Sequence, residues 1–290
     1  MIRTLVSSAV AGLIGYGVTK AVLHSPLRTH RSTVRTNHAG RDVSLVEGPA
    51  VAAGLLAGSV LIEDPRQRAA TLLATSVSGA LGAVDDFLES GSSKGLRGHL
   101  SALAHGEITT GAIKVTGIPV AAIVAAAVLG PDARRHHGLL DALRPAEATP
   151  WWKASIDTVV AGGVIAGTAN LFNLLDLRPG RALKAGLIVL GLMPHERQLT
   201  WVPTAVVTGT SVAAWPDDLD GSVMLGDTGA NALGAAIGTT VAANTSAGQR
   251  AVLLAILAGL TLASEKVSFT SVIESTPGLR EIDAFGRTVK

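Results

Sequence analysis

The chain has 290 residues, 48% hydrophobic and 16% charged, with a formal net charge of +2 and a mean hydropathy of +0.41. Its apolar residues gather in runs of about 17 to 22, the length that crosses a bilayer as a helix, which excludes an ordinary water-soluble domain. The absence of cysteine excludes disulfides and thiolate metal sites and suits a bacterial plasma (inner) membrane.

Hydropathy predicts an all-α, polytopic membrane protein, one domain over 1–290, with nine spans: 2–22, 44–62, 68–86, 114–130, 154–175, 181–193, 199–215, 226–244 and 250–268. The first resembles a signal peptide in position. Its exit, AVLHSPL, lacks a small-x-small cleavage pattern, so it is read as a retained helix. With nine spans, 15 of the 24 Lys and Arg residues fall on one side, among them Lys20, Arg28, Lys114, Arg178 and Lys266. By the positive-inside rule that side is cytoplasmic, which sets the N-terminus outside and the C-terminus inside.

Three acidic motifs sit at the cytoplasmic ends of these spans: Asp85 and Asp86 in GAVDDFLES, Asp176 in NLFNLLDLRPG, and Asp227 in MLGDTGANALG. A carboxylate at the hydrocarbon edge is costly, and a shared divalent cation is the simplest compensation. At about 100° per residue, Asn170, Asn173 and Asp176 can all look into one cleft. Asp227 and Asn231 share a helix face, whereas the adjacent Asp85 and Asp86 cannot and so serve two different purposes. Gly226, Ala230, Gly234 and Gly238 form an i+4 ridge, and Gly163 and Gly167 repeat its spacing, as close helix packing in lipid requires. His99, His105, His136 and His137 have no metal-ligand spacing on a common helix and read as surface or interfacial residues.

The ordered series AVDDFLE, KGLRGHLSALAHGEITTGAIK, NLFNLLDLRPG and MLGDTGANALG resembles the polyprenyl-phosphate N-acetylhexosamine-1-phosphate transferases of the MraY and WecA type, glycosyltransferase family 4, over about residues 80–240. The resemblance implies a cytoplasmic active-site cleft. There a sugar-1-phosphate passes from a nucleotide-activated (UDP-type) amino sugar to polyprenyl phosphate with Mg²⁺ or Mn²⁺, releasing nucleoside monophosphate during cell-wall or other envelope glycopolymer synthesis. It implies that Asp227 and Asp86 hold the metal, that Asp85, Asp86 and Asp176 are catalytic, and that Asn170, Asn173, Asn231, Lys94 and Arg97 bind substrate. The partners implied are polyprenyl phosphate, the nucleotide sugar and membrane lipid, with room for a homodimer and no call for nucleic acid. The residues agree independently with such chemistry, because an Asp and Asn oxygen site suits Mg²⁺ and phosphoryl transfer depends on charge neutralisation and positioning.

The chain departs from the family in two places. Pro179 stands where the family's D-G-x-D-G segment has its second Asp, and the segment SEKVSFTSVIESTPGLREIDAFGR holds no histidine. Both departures concern the nucleotide end. Arg178, Arg181 and Arg280 are candidates for pyrophosphate contacts, or ordinary positive flanks. The competing readings are a noncatalytic membrane partner that binds polyprenyl phosphate or a nucleotide sugar, and a small transporter. The latter is weakened because the acids lie at one face and not at the midplane.

Overall fold

The computed structural model describes residues 2–36, 40, 42–88, 109–133, 150–193 and 198–288. The expected phosphate ligands Lys94 and Arg97, and the histidines 99, 105, 136 and 137, lie outside the described residues.

The chain is mostly helical. In order it forms α1 (Ile2–Leu23), a 3-10 turn (Pro26–Thr29), β1 (Val34–Thr36), β2 (Asp42–Ser44), α2 (Glu47–Ser59), α3 (Pro65–Leu88), α4 (Thr110–Ala133) and α5 (Trp151–Leu175). There follow α6 (Arg181–Leu192), α7 (Gln198–Leu219), α8 (Gly226–Asn244), α9 (Ala247–Ser264), α10 (Phe269–Ser275) and α11 (Leu279–Ala284). A helix coincides with each of the nine hydropathic segments. Among the described residues, four are long and apolar enough to cross a membrane: α1, Thr110–Gly130 of α4, α5 and α9. Three of the others fall short for two physical reasons. The 13-residue α2 and the 12-residue α6 rise only about 20 and 18 Å, less than a hydrocarbon core of roughly 30 Å. The longer α3 buries Gln67, Thr71, Thr75 and Ser78 along one face, which lowers its apolar content.

The exterior supports a membrane-associated protein. On α9 only 11% of the apolar window is buried within the protein, and Val252, Ile256 and Leu262 point outward. Such a continuous apolar surface requires a non-aqueous neighbour.

The organising element is α8, buried on all sides between α2, α3, α5 and α7. Small residues make that possible. A Cβ on Gly234 would stand 2.6 Å from the Ala169 Cα of α5, and one on Gly238 2.9 Å from the Ile165 Cα. Gly163 and Gly167 instead receive Leu254 and Leu257 of α9. The strands, an antiparallel pair, clamp the turn that precedes α8: Ser44 bridges Val223, and the Met224 N–H donates to the Ser44 carbonyl at 2.9 Å. Lys20 and Arg28 both bond Asp217, which ties α1 and the 3-10 turn to the end of α7.

The C-terminal helices are pinned by one acid. The Asp283 side chain accepts from Arg181 Nε at 2.7 Å and from Arg287 at 2.9 Å, while its carbonyl accepts from Lys184 Nζ at 2.6 Å.

Candidate functional site

Close backbone approach builds the site before any side chain acts. A Cβ on Gly82 would lie 2.2 Å from the Asp227 carbonyl oxygen, so only glycine lets the end of α3 meet the start of α8 here. Gly226 turns with φ +60°, and a Cβ there would stand 3.0 Å from an Asp86 oxygen. The turn aims the first N–H groups of α8 at α3. Asp86 accepts them: Oδ1 takes the Asp227 N–H at 3.0 Å, and Oδ2 takes the Thr228 N–H at 2.8 Å and its hydroxyl at 2.6 Å. Asp86 thus caps a helix supplied by a distant segment, where the positive end of the dipole favours a carboxylate.

Asp85 looks elsewhere, as adjacency on a helix requires. Its Oδ2 and the Asp227 Oδ2 both accept from Lys114 Nζ, near the start of α4, so one ammonium bridges two carboxylates. The two acids themselves lie within hydrogen-bonding reach. Asp85 Oδ1 is buried with no hydrogen-bond partner among the described residues.

Beside Lys114 opens a cavity of about 230 Å³ between α4, α5, α8 and α9, lined by Asn170, Asn173, Asn231, Thr261 and an apolar wall of Val115, Ile118 and Pro119. Asn170 donates to the Thr261 hydroxyl at 3.0 Å, and Asn231 donates to the Asp227 carbonyl at 2.7 Å. The expected shared cleft therefore holds Asn170 and Asn173, with Asn231 joining them. Asp176 is not among its lining residues. It follows the last turn of α5, where its own N–H donates to the Phe172 and Asn173 carbonyls and its carboxyl lies near the Gly226 N–H. Burial, then the charge of Asp218, push the Asp176 carboxyl well above its usual range.

Two acids that sequence reasoning passed over stand close by. Asp218 of α7 accepts the Gly180 N–H at 2.9 Å, holding the loop that contains Pro179, and burial pushes its carboxyl up to about 7. Glu47, at the start of α2, is fully buried, and neither carboxylate oxygen has a hydrogen-bond partner among the described residues. The acids whose charges act on it most are Asp218, Asp176 and Asp217. The three arginines considered for pyrophosphate are all engaged within the chain: Arg178 with Glu274, Arg181 with Asp283, and Arg280 with Glu281.

Lys114 was visible in the sequence only as one of many cytoplasmic cations. The signal that could have singled it out is its place at the start of an apolar span, on the same face as the three acidic motifs. Thr228 and Thr261 carried no signal, because a lone threonine in an apolar helix is commonplace.

Among the described residues no group of three or more His, Asp or Glu side chains is arranged to chelate an ion. The site is a two-carboxylate one, Asp85 with Asp227. That number fits Mg²⁺, which retains several waters and completes its shell with phosphate oxygens. The oxygen-only donors and the unpartnered Asp85 Oδ1 fit the same ion.

Comparison of the sequence with protein-family models and with curated proteins finds no match.

Proposed function

We propose that the chain is a Mg²⁺-dependent phosphoglycosyltransferase. It moves a sugar-1-phosphate from a UDP-type nucleotide sugar to polyprenyl phosphate at the cytoplasmic face of a bacterial plasma membrane, with release of nucleoside monophosphate. The observation that carries this reading is the meeting of Asp85, Asp227 and Lys114 at the mouth of an asparagine-lined cavity. Two acids and a lysine at one bundle end supply the positioning and charge balance that phosphoryl transfer asks of a protein.

In this reading Asp85 and Asp227 hold the metal. The place first expected for Asp86 passes to Asp85, because Asp86 already accepts three protein donors and fixes the start of α8. When bound, Mg²⁺ supplies charge neutralisation on the pyrophosphate oxygens. Asp85 would orient the acceptor phosphate for attack on the β-phosphorus, with nucleoside monophosphate as the leaving group. Asn170, Asn173 and Asn231 offer amide donors and acceptors to the sugar and phosphates, and the apolar wall of the cavity keeps water from competing. Asp176 orders the Gly226 turn from the opposite side.

The test is release of nucleoside monophosphate by purified protein given polyprenyl phosphate, Mg²⁺ and a panel of nucleotide sugars. Release that requires both the lipid phosphate and the metal supports the reading. No release with any donor, from protein that binds Mn²⁺, overturns it.

A further inference from the structure

We propose that Lys114 is a displaceable counter-cation. Its ammonium occupies the place between Asp85 and Asp227 that the divalent ion takes, and on displacement it turns into the adjoining cavity to hold an anionic group of phosphate type. The proposal rests on the reading above in one respect, that the ion between the two acids is the one the transfer requires.

Four observations point this way. First, the Lys114 ammonium bonds both acids at once, one from α3 and one from α8, as a bridging metal would. Secondly, the neighbouring Asp85 Oδ1 is buried and unpartnered among the described residues, so the ammonium uses only part of the available oxygen. A divalent ion with a larger charge and more coordination positions would use more of it. Thirdly, Lys114 is the fifth residue of α4, close to the positive end of the helix dipole, where a cation is disfavoured. The two carboxylates hold it there, and the local helix does not.

Fourthly, Lys114 is also a wall of the 230 Å³ cavity, and among the described residues that line it Lys114 is the one that is charged. The other polar linings are three amides and a hydroxyl, all neutral. A flexible four-carbon stem lets the ammonium swing between the acids and this chamber without moving α4. Once there it meets no carboxylate among the described lining residues, so its charge is available to an anion whose remaining oxygens take amide N–H bonds. Metal entry and anion capture are then coupled: each divalent ion that binds releases one positive charge toward the substrate.

The test uses full-length protein in detergent with Mn²⁺ alone, followed by electron paramagnetic resonance. Lys114→Met removes the competitor but keeps a long apolar stem, so it should bind Mn²⁺ about tenfold more tightly than the parent while losing turnover. A structural ion-pair role would lower the melting temperature and leave Mn²⁺ affinity equal or weaker, and that outcome overturns the proposal. Should Lys114→Met fail to fold, acetylation of the parent protein read by peptide mass spectrometry decides the matter. Mg²⁺ should raise labelling of Lys114, and subsequent inorganic pyrophosphate should lower it. Labelling indifferent to Mg²⁺ overturns the proposal. The two readings fail separately: a chain without transferase activity can still show the Mn²⁺ shift, and an active transferase can lack it.

Discussion

Asp86 of α3 caps the helix that carries Asp227, accepting the Asp227 N–H at 3.0 Å across 141 residues of sequence. The adjacent Asp85 makes no such bond and pairs with Lys114. Substitution should separate the two. Asp86→Ala should cost about 1–2 kcal/mol of stability through loss of the cap. Asp85→Asn should leave the melting temperature near that of the parent and weaken Mn²⁺ binding. Thermal unfolding and Mn²⁺ titration of both variants check this, and equal melting temperatures for the two would reject the division of labour.

Asp227→Asn should abolish turnover while leaving folding and membrane insertion nearly unchanged. The backbone of residue 227 does the structural work, donating to Asp86 and accepting from Asn231, and the amide isostere keeps both bonds. Activity within a few-fold of the parent would remove Asp227 from the site.

Gly82→Ala should be among the most damaging single-methyl additions, because the new Cβ meets a backbone carbonyl that cannot rotate away. Overpacking of this kind costs about 1–3 kcal/mol. It should also push α3 from α8 and so weaken Mn²⁺ binding. Gly248→Ala, where nothing lies within 4 Å, is the control.

Acid should release the C-terminal helices. Burial opposes charge on Asp283, but hydrogen bonds from Arg181 and Arg287 more than offset it and hold the carboxyl below its usual 3.8. A depressed folded value stabilises the docked tail above the free value of about 4 and is lost as pH falls through the folded value. The hydrogen-exchange protection of residues 279–284, taken relative to the intrinsic rate at each pH, should therefore fall below about pH 4 and hold above it. Asp283→Asn should show fast exchange throughout. Protection unchanged on acidification of the parent would place the anchoring elsewhere.

A cysteine-free chain suits labelling of single introduced thiols. If the alternation of Lys and Arg reports orientation, an impermeant thiol reagent on intact cells should label Gly248→Cys, in the first turn of α9, and spare Ser275→Cys, at the end of α10. The reverse pattern would put the acids outside and rule out a cytoplasmic nucleotide donor.

The periodic parts of this molecule were legible from the sequence. Hydropathy located a helix on each of nine segments, and the 100° rule grouped Asn170 with Asn173; it failed for Asp176, which caps α5 and no longer follows helical spacing. Partners across helices were not legible. Nothing local distinguishes Asp85 from Asp86, since the difference arises from Gly226 turning two N–H groups toward only one of them. Lys114 was hidden for a similar reason: its partners lie 29 and 113 residues away, beyond any periodic pattern. Among the described residues four of the nine segments are helices long and apolar enough to cross a membrane, and at α2 and α6 the helix is shorter than a hydrocarbon core of roughly 30 Å.

The separations within the site also set an order of events during synthesis. Asp85 meets Lys114 after 29 further residues, whereas Asp86 finds its amide partner only after 141. A nascent chain therefore carries its first acid past the hydrocarbon edge already escorted by a cation, long before α8 has been made. The second acid waits for α8. The acid cluster is therefore completed only when α8 arrives, and a chain arrested before residue 227 holds one escorted acid and one still lacking its helix N-terminus.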